Sequence, residues 1–121
     1  MGADQIAVFR PGIEEVRTQI DEDFCVTFEV EGASHLWVQV TRDSLNIHYP
    51  FDDDPTDDRV TSRLELGEGM TYACHEPNKY ATWSIDETPS SSELAQLVDR
   101  IFTALLECDE DYDINTEIIS L

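Results

Sequence analysis

Three aspartates near the C-terminus have the spacing of calcium ligands. Asp109, Asp111 and Asp113 alternate with other residues, as the first ligands of an EF-hand loop do. The rest of that loop is missing, because Ile114 occupies the glycine position and Ser120 the position of the bidentate glutamate. We therefore interpret these acids as the solvated exit of a helix, and we predict no metal site and no cofactor.

Histidines and cysteines are the other side chains that could bind zinc or act as nucleophiles. The candidates are His35, His48, His75, Cys25, Cys74 and Cys108. Cys74 and His75 are adjacent, so in a strand their side chains would point to opposite faces and could not easily share one ion. No flanking signature supports a Cys–His nucleophile pair, and neither glycine-rich nucleotide-binding motif is present. The sequence therefore predicts a protein that is not an enzyme.

The cysteines also bear on the compartment. They are odd in number and widely spaced, which argues against a disulfide framework and favours a reducing compartment. Cys25 and Cys74 fall in strand-like runs, where a cysteine is usually a small buried side chain. The sequence shows neither a basic segment followed by an apolar run at its start nor a stretch of about 18 apolar residues. We expect a cytoplasmic protein that forms one domain over residues 1–121.

The charge of the chain excludes some partners and favours others. Asp and Glu total 27 against 7 for Lys and Arg, a formal net charge of −20. Such a field repels nucleic acids and anionic membranes, and it favours a cationic protein partner. The same composition also fits adaptation to a salty cytoplasm, in which case the charge says nothing about partners.

The acids are not spread evenly. Of the 27, 13 lie in the segments 21–23, 52–58 and 107–113. Two of these segments follow predicted helix C-termini, where negative charge opposes the helix dipole at a cost of up to about 1 kcal/mol per site. Folding stability does not explain that placement, which fits either salt adaptation and solubility or a cation-binding surface for a partner protein. The acidic candidates for partner binding are Asp52, Asp53, Asp54, Asp57, Asp58, Asp109, Glu110, Asp111 and Asp113.

Two segments with helical periodicity would position these groups. The first covers residues 11–21, where a Pro–Gly pair can open the helix and branched apolar residues recur on one side. The second covers residues 90–107, where apolar residues repeat at i, i+3, i+4 and i+7, and Ser90 with Glu93 forms a capping-box pattern. This second helix is the predicted cover of a sheet.

The region between the helices alternates apolar and polar residues with the period of β-strands. It predicts strands over residues 24–31, 36–41, 45–49, 60–66, 70–74 and 80–85. Residues 50–58, rich in proline and aspartate, predict a solvated loop, and residues 114–121 an edge strand or a short helix. The predicted fold class is α+β, with an N-terminal helix, an antiparallel meander sheet of five to six strands and a C-terminal amphipathic helix packed on one sheet face.

Trp37 is the aromatic candidate for partner binding. It lies on the strand face opposite Leu36, Val38 and Val40. If those three face the helices, Trp37 faces outward, and an uncovered sheet face with a tryptophan would be a binding platform. The alternative is that the C-terminal tail or a second subunit covers it.

The length, the acidity, the strand HLWVQV at residues 35–40 and the helix SELAQLVDRIFTALLE at residues 92–107 resemble the small acidic chaperones of type III secretion and the related YbjN-like domains. The resemblance implies a fold that binds extended segments of client proteins and usually forms a homodimer. One departure is the PFDDDPTDD segment at residues 50–58, because the family has a helix there. That departure argues against dimerisation and client binding in the family's manner.

These observations support three hypotheses of function. The first is a non-enzymatic, chaperone-like or toxin-neutralising module that binds a cationic or partly unfolded protein partner. The second is a nucleic-acid mimic that blocks a DNA-binding protein, which predicts acids in a row spaced like phosphates. The third is a salt-adapted domain, which predicts that folding collapses at low salt.

Overall fold

The computed structural model describes residues 3–18, 24–52, 54, 69–86, 89–108 and 112–120. Within them the chain forms two α-helices and six β-strands. The bounds are Ala3–Thr18 (α1), Phe24–Val30 (β1), Ala33–Val40 (β2), Ser44–Tyr49 (β3), Met70–Glu76 (β4), Lys79–Ile85 (β5), Ser91–Arg100 (α2) and Ile114–Ser120 (β6). A π-helical turn, Ile101–Leu105, extends α2.

The six strands form one antiparallel sheet in the order β4-β5-β3-β2-β1-β6. Strands β1 to β3 form the predicted meander, and β4 and β5 form the predicted hairpin. The hairpin joins the sheet through β5, which pairs with β3, while β6 returns to pair with β1. The tail after α2 is therefore an edge strand rather than a helix. The strand predicted over residues 60–66 lies outside the described residues.

One face of the sheet is apolar and carries both helices. Alternate side chains of four strands supply its core, in the register that the sequence predicted: Val26, Phe28, Val38, Val40, Leu45, Ile47, Tyr49, Ala81, Trp83 and Ile85. The helices close against them, and α1 comes nearest at Gly12, where an added Cβ would lie 3.0 Å from a methyl carbon of Val26. The arrangement confirms an α+β fold with both helices on one sheet face.

Helix α1 begins at Ala3, so the predicted start at residue 11 was wrong. The Pro–Gly pair does not open the helix, because Pro11 lies inside it. Phe9, Ile13 and Val16 have no exposed surface and follow the i, i+4, i+7 spacing of one continuous face. Burial of that face against the sheet outweighs the backbone hydrogen bond that proline cannot donate.

Helix α2 has the predicted N-terminus. The Ser90 side chain accepts a hydrogen bond from the backbone N–H of Glu93 at 3.1 Å, which satisfies one of the unpaired donors at the helix start. Its C-terminus differs from the prediction, because the helical residues end at Leu105 and Glu107 has a left-handed φ of 58°. A π-turn accommodates Phe102 and Leu105 in the core before the chain reverses.

Strand β4 departs from the pattern of a half-buried strand, because five of its seven side chains are exposed. Cys74 is exposed, so the prediction of a buried cysteine was wrong there, whereas Cys25 on β1 is buried as predicted. The register of β4 against β5 shifts between Tyr72 and Cys74, the signature of a β-bulge. No described segment packs over most of the β4 side chains, which lie on an outer strand of the described sheet.

Candidate functional site

A cleft of about 390 Å³ opens where α2 ends. Its lining comes from the β1–β2 turn, the residues after the π-turn and the approach to β6: Val30, Glu31, Leu36, Glu107, Cys108, Tyr112 and Asp113. Four stretches of sequence thus contribute to one concave surface.

The end of the helix shapes one wall of the cleft. The backbone N–H of Leu106 donates to the carbonyl of Ile101 at 2.9 Å, and that of Cys108 donates to the carbonyl of Phe102 at 2.8 Å. These bonds end the helix, and the positive φ of Glu107 turns the chain beside the cleft. Carbonyl groups at a helix C-terminus carry a partial negative charge, so this wall favours cations. Single π-turns are also frequent at functional sites.

The floor of the cleft is apolar and firmly held. Val30 and Leu36 are half-buried, and Tyr112 is only 6% exposed. The Tyr112 ring lies 5.4 Å from that of Phe102, and its hydroxyl donates to Asp99 Oδ1 at 2.7 Å. Burial, and then the hydrogen bond to Asp99, raise the pKa of the Tyr112 phenol far above its usual value. The phenol therefore remains neutral, and its ring holds a fixed position in the floor of the cleft.

The rim of the cleft is acidic. Glu31, Glu107 and Asp113 are exposed. The backbone N–H of Glu31 donates to the carbonyl of Asp113 at 2.9 Å, which holds two of these residues side by side. None of the three carboxylates has an ion-pair partner in the part of the chain that the structure describes, unlike Glu14 and Glu76, which pair with Arg10 and Lys79.

This combination suits a cationic, partly apolar ligand. A lysine or arginine side chain has an aliphatic stem that can lie on an apolar floor while its charged end reaches a carboxylate. Hydrogen bonds between guanidinium or ammonium groups and carboxylates are stronger than neutral ones. Metal binding has no comparable support, because no group of three or more His, Cys, Asp or Glu side chains within the described ranges could hold an ion.

The sheet face away from the helices carries a second candidate surface. Trp37 lies there, half-buried, with its ring 6.2 Å from that of His48, and the rings of His35 and His48 are 6.1 Å apart. Burial, and then the neighbouring His35, lower the pKa of His48. The outward placement of Trp37 agrees with the predicted strand register, and a role in partner binding stays a prediction.

A polar row crosses the middle of the same face. Thr82 donates to the side-chain oxygen of Asn46 at 2.9 Å, and Asn46 donates to that of Gln39 at 3.4 Å. These side chains satisfy one another across three adjacent strands. These side chains already hydrogen-bond one another and the surface is shallow, so this face leaves fewer unpaired polar groups for a ligand than the cleft does.

The predicted acidic candidates divide into two groups. Asp113 lines the cleft, and Asp52 and Asp54 are exposed on the segment after β3, where Asp52 accepts a hydrogen bond from the Asn78 side chain. The structure does not bring Asp113 together with either of them in one site. The remaining candidates lie outside the described residues: Asp53, Asp57, Asp58, Asp109, Glu110 and Asp111.

The histidines and cysteines are not gathered into one site. Cys74 pairs with Thr82 and His75 with Ala81, so the two side chains point to opposite sheet faces, as expected from their adjacency. His75 Nδ1 instead hydrogen-bonds the Tyr72 hydroxyl at 2.6 Å. All three cysteines are free thiols. Burial raises the pKa of the Cys25 thiol, and a weak contact with Thr27 opposes that rise.

Sequence reasoning missed most of the cleft. Glu31 and Glu107 were assigned to the ends of regular elements, and Tyr112 was passed over inside an acidic run. One signal could have identified Tyr112, because a lone aromatic residue between aspartates has no reason to be there unless it is buried. The convergence of four chain segments could not be inferred from sequence spacing.

Comparison with known proteins adds no relative. Searches of protein-family models, of curated proteins and of solved structures find no match to this chain. No helix in the described residues is long and apolar enough to cross a membrane.

Proposed function

We propose that the protein is a non-enzymatic binding module that holds a cationic or partly unfolded protein partner. The observation that carries this proposal is the cleft, in which Glu31, Glu107 and Asp113 surround an apolar floor without ion-pair partners among the described residues. Exposed acids with no local cation lower the cost of bringing in a positive charge from another molecule. A chaperone-like role and a toxin-neutralising role both fit this chemistry.

The position of the cleft strengthens the case. Acids beside a helix C-terminus weaken the helix, so they are not there for folding stability. A bound cation would relieve both the mutual repulsion of the carboxylates and their repulsion from the helix carbonyls. Binding of the partner would therefore be favoured, because it would relieve charge repulsion that destabilises the isolated protein.

The test is the affinity of the full-length protein for a short fluorescent peptide rich in arginine and leucine. Replacing the three rim acids together (Glu31→Gln, Glu107→Gln and Asp113→Asn) should weaken binding by about tenfold or more, since each exposed charge pair contributes roughly 0.2–1 kcal/mol and the cleft adds partial burial. Fluorescence anisotropy at low and at physiological salt measures the effect, which should shrink as salt screens the charges.

A matched variant separates the cleft from the overall charge. Glu14→Gln, Glu15→Gln and Glu76→Gln remove the same three charges from exposed positions outside the cleft, and binding should fall by less than about threefold. Equal losses in the two variants would contradict the proposal, because they would show that only net charge matters. Circular dichroism at low salt tests the salt-adapted alternative, which requires the unbound fold to collapse there.

The nucleic-acid mimic stands as the competing proposal. Two results together would support it. The cleft substitutions would leave binding unchanged, and the protein would bind a basic DNA-binding domain tightly and displace it from DNA. Among the described acids, no observation favours the nucleic-acid mimic over binding of a partner protein in the cleft.

A further inference from the structure

Strand β6 presents an open edge. It pairs with β1 through seven consecutive residues, from Ile114 opposite Val30 to Ser120 opposite Phe24, without an irregularity. No described strand lies on its other side. The side chains from Asn115 to Ile119 are all exposed, and no described segment covers them. One row of backbone donors and acceptors therefore remains available along this strand.

Apart from one charged side chain, Glu117, the edge lacks the features that usually prevent strand addition. Proteins protect edge strands with proline, lysine, bulges or covering segments. β6 contains no proline and no lysine, its pairing is regular, and Ile118 and Ile119 are 39% and 43% exposed. Two exposed isoleucines on opposite faces of a regular edge strand favour pairing with another extended chain.

The side chains of β6 define what that chain should look like. Glu117 pairs with Thr27 and Asn115 with Glu29, which places them on the sheet face away from the helices. Thr116 pairs with Phe28 on the helix face, which Ile118 shares. An added strand would therefore match β6 best with basic side chains on the outer face and apolar side chains on the helix face.

We infer that the free edge of β6 binds an extended, basic segment of a partner protein by strand addition. The inference rests on the proposed function and gives it a binding mode. Continuity supports it, because Asp113 lines the cleft and the next residue, Ile114, begins β6. A segment paired with β6 could thus extend toward the acidic rim.

A second copy of this chain fits the edge less well. Two copies would each bring a net charge of −20 to the contact. In a symmetric antiparallel pair centred on the middle of β6, the two Glu117 side chains would also face each other, which is destabilising. A basic partner strand reverses both effects, and charge complementarity therefore selects it.

The experiment uses the full-length ¹⁵N-labelled protein and a capped peptide of alternating lysine and valine. Addition of the peptide should slow hydrogen exchange of β6 amides, which face solvent in the free protein, by about tenfold or more at saturation. The same peptide with alternate backbone nitrogens methylated keeps its charge but cannot donate in a ladder, and it should give no such protection. A peptide of alternating glutamate and valine should not bind.

Two charge-reversal variants complete the design. Glu117→Lys should weaken binding of the lysine–valine peptide by roughly fivefold, because it replaces an attractive cross-strand pair with a repulsive one. Glu76→Lys makes the same change on β4, the opposite outer strand of the described sheet, and should change affinity by less than about twofold. Each variant is first checked for an unchanged circular dichroism spectrum.

Three results would overturn the inference. They are tight binding of the methylated peptide, equal effects of the two charge reversals, and β6 protection that grows with protein concentration without peptide, which would identify a second copy as the occupant. Failure here is distinguishable from failure of the proposed function. A cleft that binds the arginine–leucine peptide while β6 amides remain unprotected would refute strand addition and leave the binding module intact.

Discussion

The two outer strands of the described sheet are built differently. β4 is interrupted by a bulge between Tyr72 and Cys74, and its acid Glu76 is paired with Lys79 at 3.0 Å. β6 runs without interruption along β1, and its acid Glu117 has no ion-pair partner among the described residues. One outer strand thus carries the irregularity that discourages pairing, and the other does not.

The difference shows that this fold can protect an outer strand against pairing, and that within the described sheet it protects only one of the two. Protection by a bulge costs local hydrogen bonds, so its absence on β6 could reflect stability alone. The two exposed isoleucines add to the difference, because they offer apolar contacts to an added strand. The side of the sheet with the regular edge is also the side with the acidic cleft.

The largest expected difference between the two sides of the sheet is in how much one buried or exposed side chain contributes to the free energy of unfolding. Phe28 on β1 has no exposed surface and its ring lies 4.7 Å from that of Phe9, so Phe28→Ala should lower the free energy of unfolding by about 3–5 kcal/mol. Tyr72 on β4 is 37% exposed, and Tyr72→Ala should cost less than about 1 kcal/mol. Urea denaturation measures both. Similar losses would show that the two sides are equally consolidated.

A smaller, pH-dependent difference should come from Tyr112. Burial and its bond to Asp99 raise the pKa of the phenol in the folded state, so the stability it contributes is full below the unfolded pKa of about 10 and is lost as the pH rises above that value. The loss should reach about 1.4 kcal/mol per pH unit. Tyr112→Phe should remove this alkaline loss and cost about 0.5–1.5 kcal/mol at neutral pH.

Denaturation midpoints measured between neutral and strongly alkaline pH check this expectation. Tyr80→Phe, on β5 at the other side of the sheet, is the matched control and should retain the alkaline loss. A Tyr112→Phe variant that loses stability with pH as steeply as the wild type would contradict the assignment. It would place the responsible group elsewhere in the molecule.

The smallest effect on stability should accompany a clear effect on association. Ile118→Lys and Tyr72→Lys both place a lysine on an exposed outer-strand position, and each should change the free energy of unfolding by no more than about 0.5 kcal/mol. Only Ile118→Lys should reduce light scattering on mild heating at high protein concentration, because among the described strands only β6 offers a regular open edge. Equal reductions in both variants would remove the distinction between the two edges.

Much of the fold was predictable because periodicity reports burial directly. The alternation in β1, β2, β3 and β5 gave the correct inward faces, and the Ser90–Glu93 pattern gave the correct helix start. The start of α1 was missed because a local rule, proline as a helix opener, was given more weight than the stripe that continues back to Phe9. Tertiary burial decided that case.

The candidate site was much less predictable. Of its lining residues, only Asp113 is among the predicted partner-binding residues, and the reason for that prediction is its charge. Val30 and Leu36 read as ordinary strand residues, and Glu107 reads as part of the helix until its backbone turns left-handed. A cleft formed by segments distant in sequence depends on how the chain ends meet, and periodicity carries no information about that.

Because β6 pairs with β1, the sheet cannot be completed until β6 has been synthesised. Among the described strands β1 is made first and β6 last, so Phe24 can pair with Ser120 only after β6 has been synthesised. Such distant contacts slow folding, because a long loop must close before they form. Until then β1 is itself an outer strand, so a nascent chain held before residue 114 exposes the ladder that β6 later occupies. Among the described strands, β6 is therefore the one that completes the sheet.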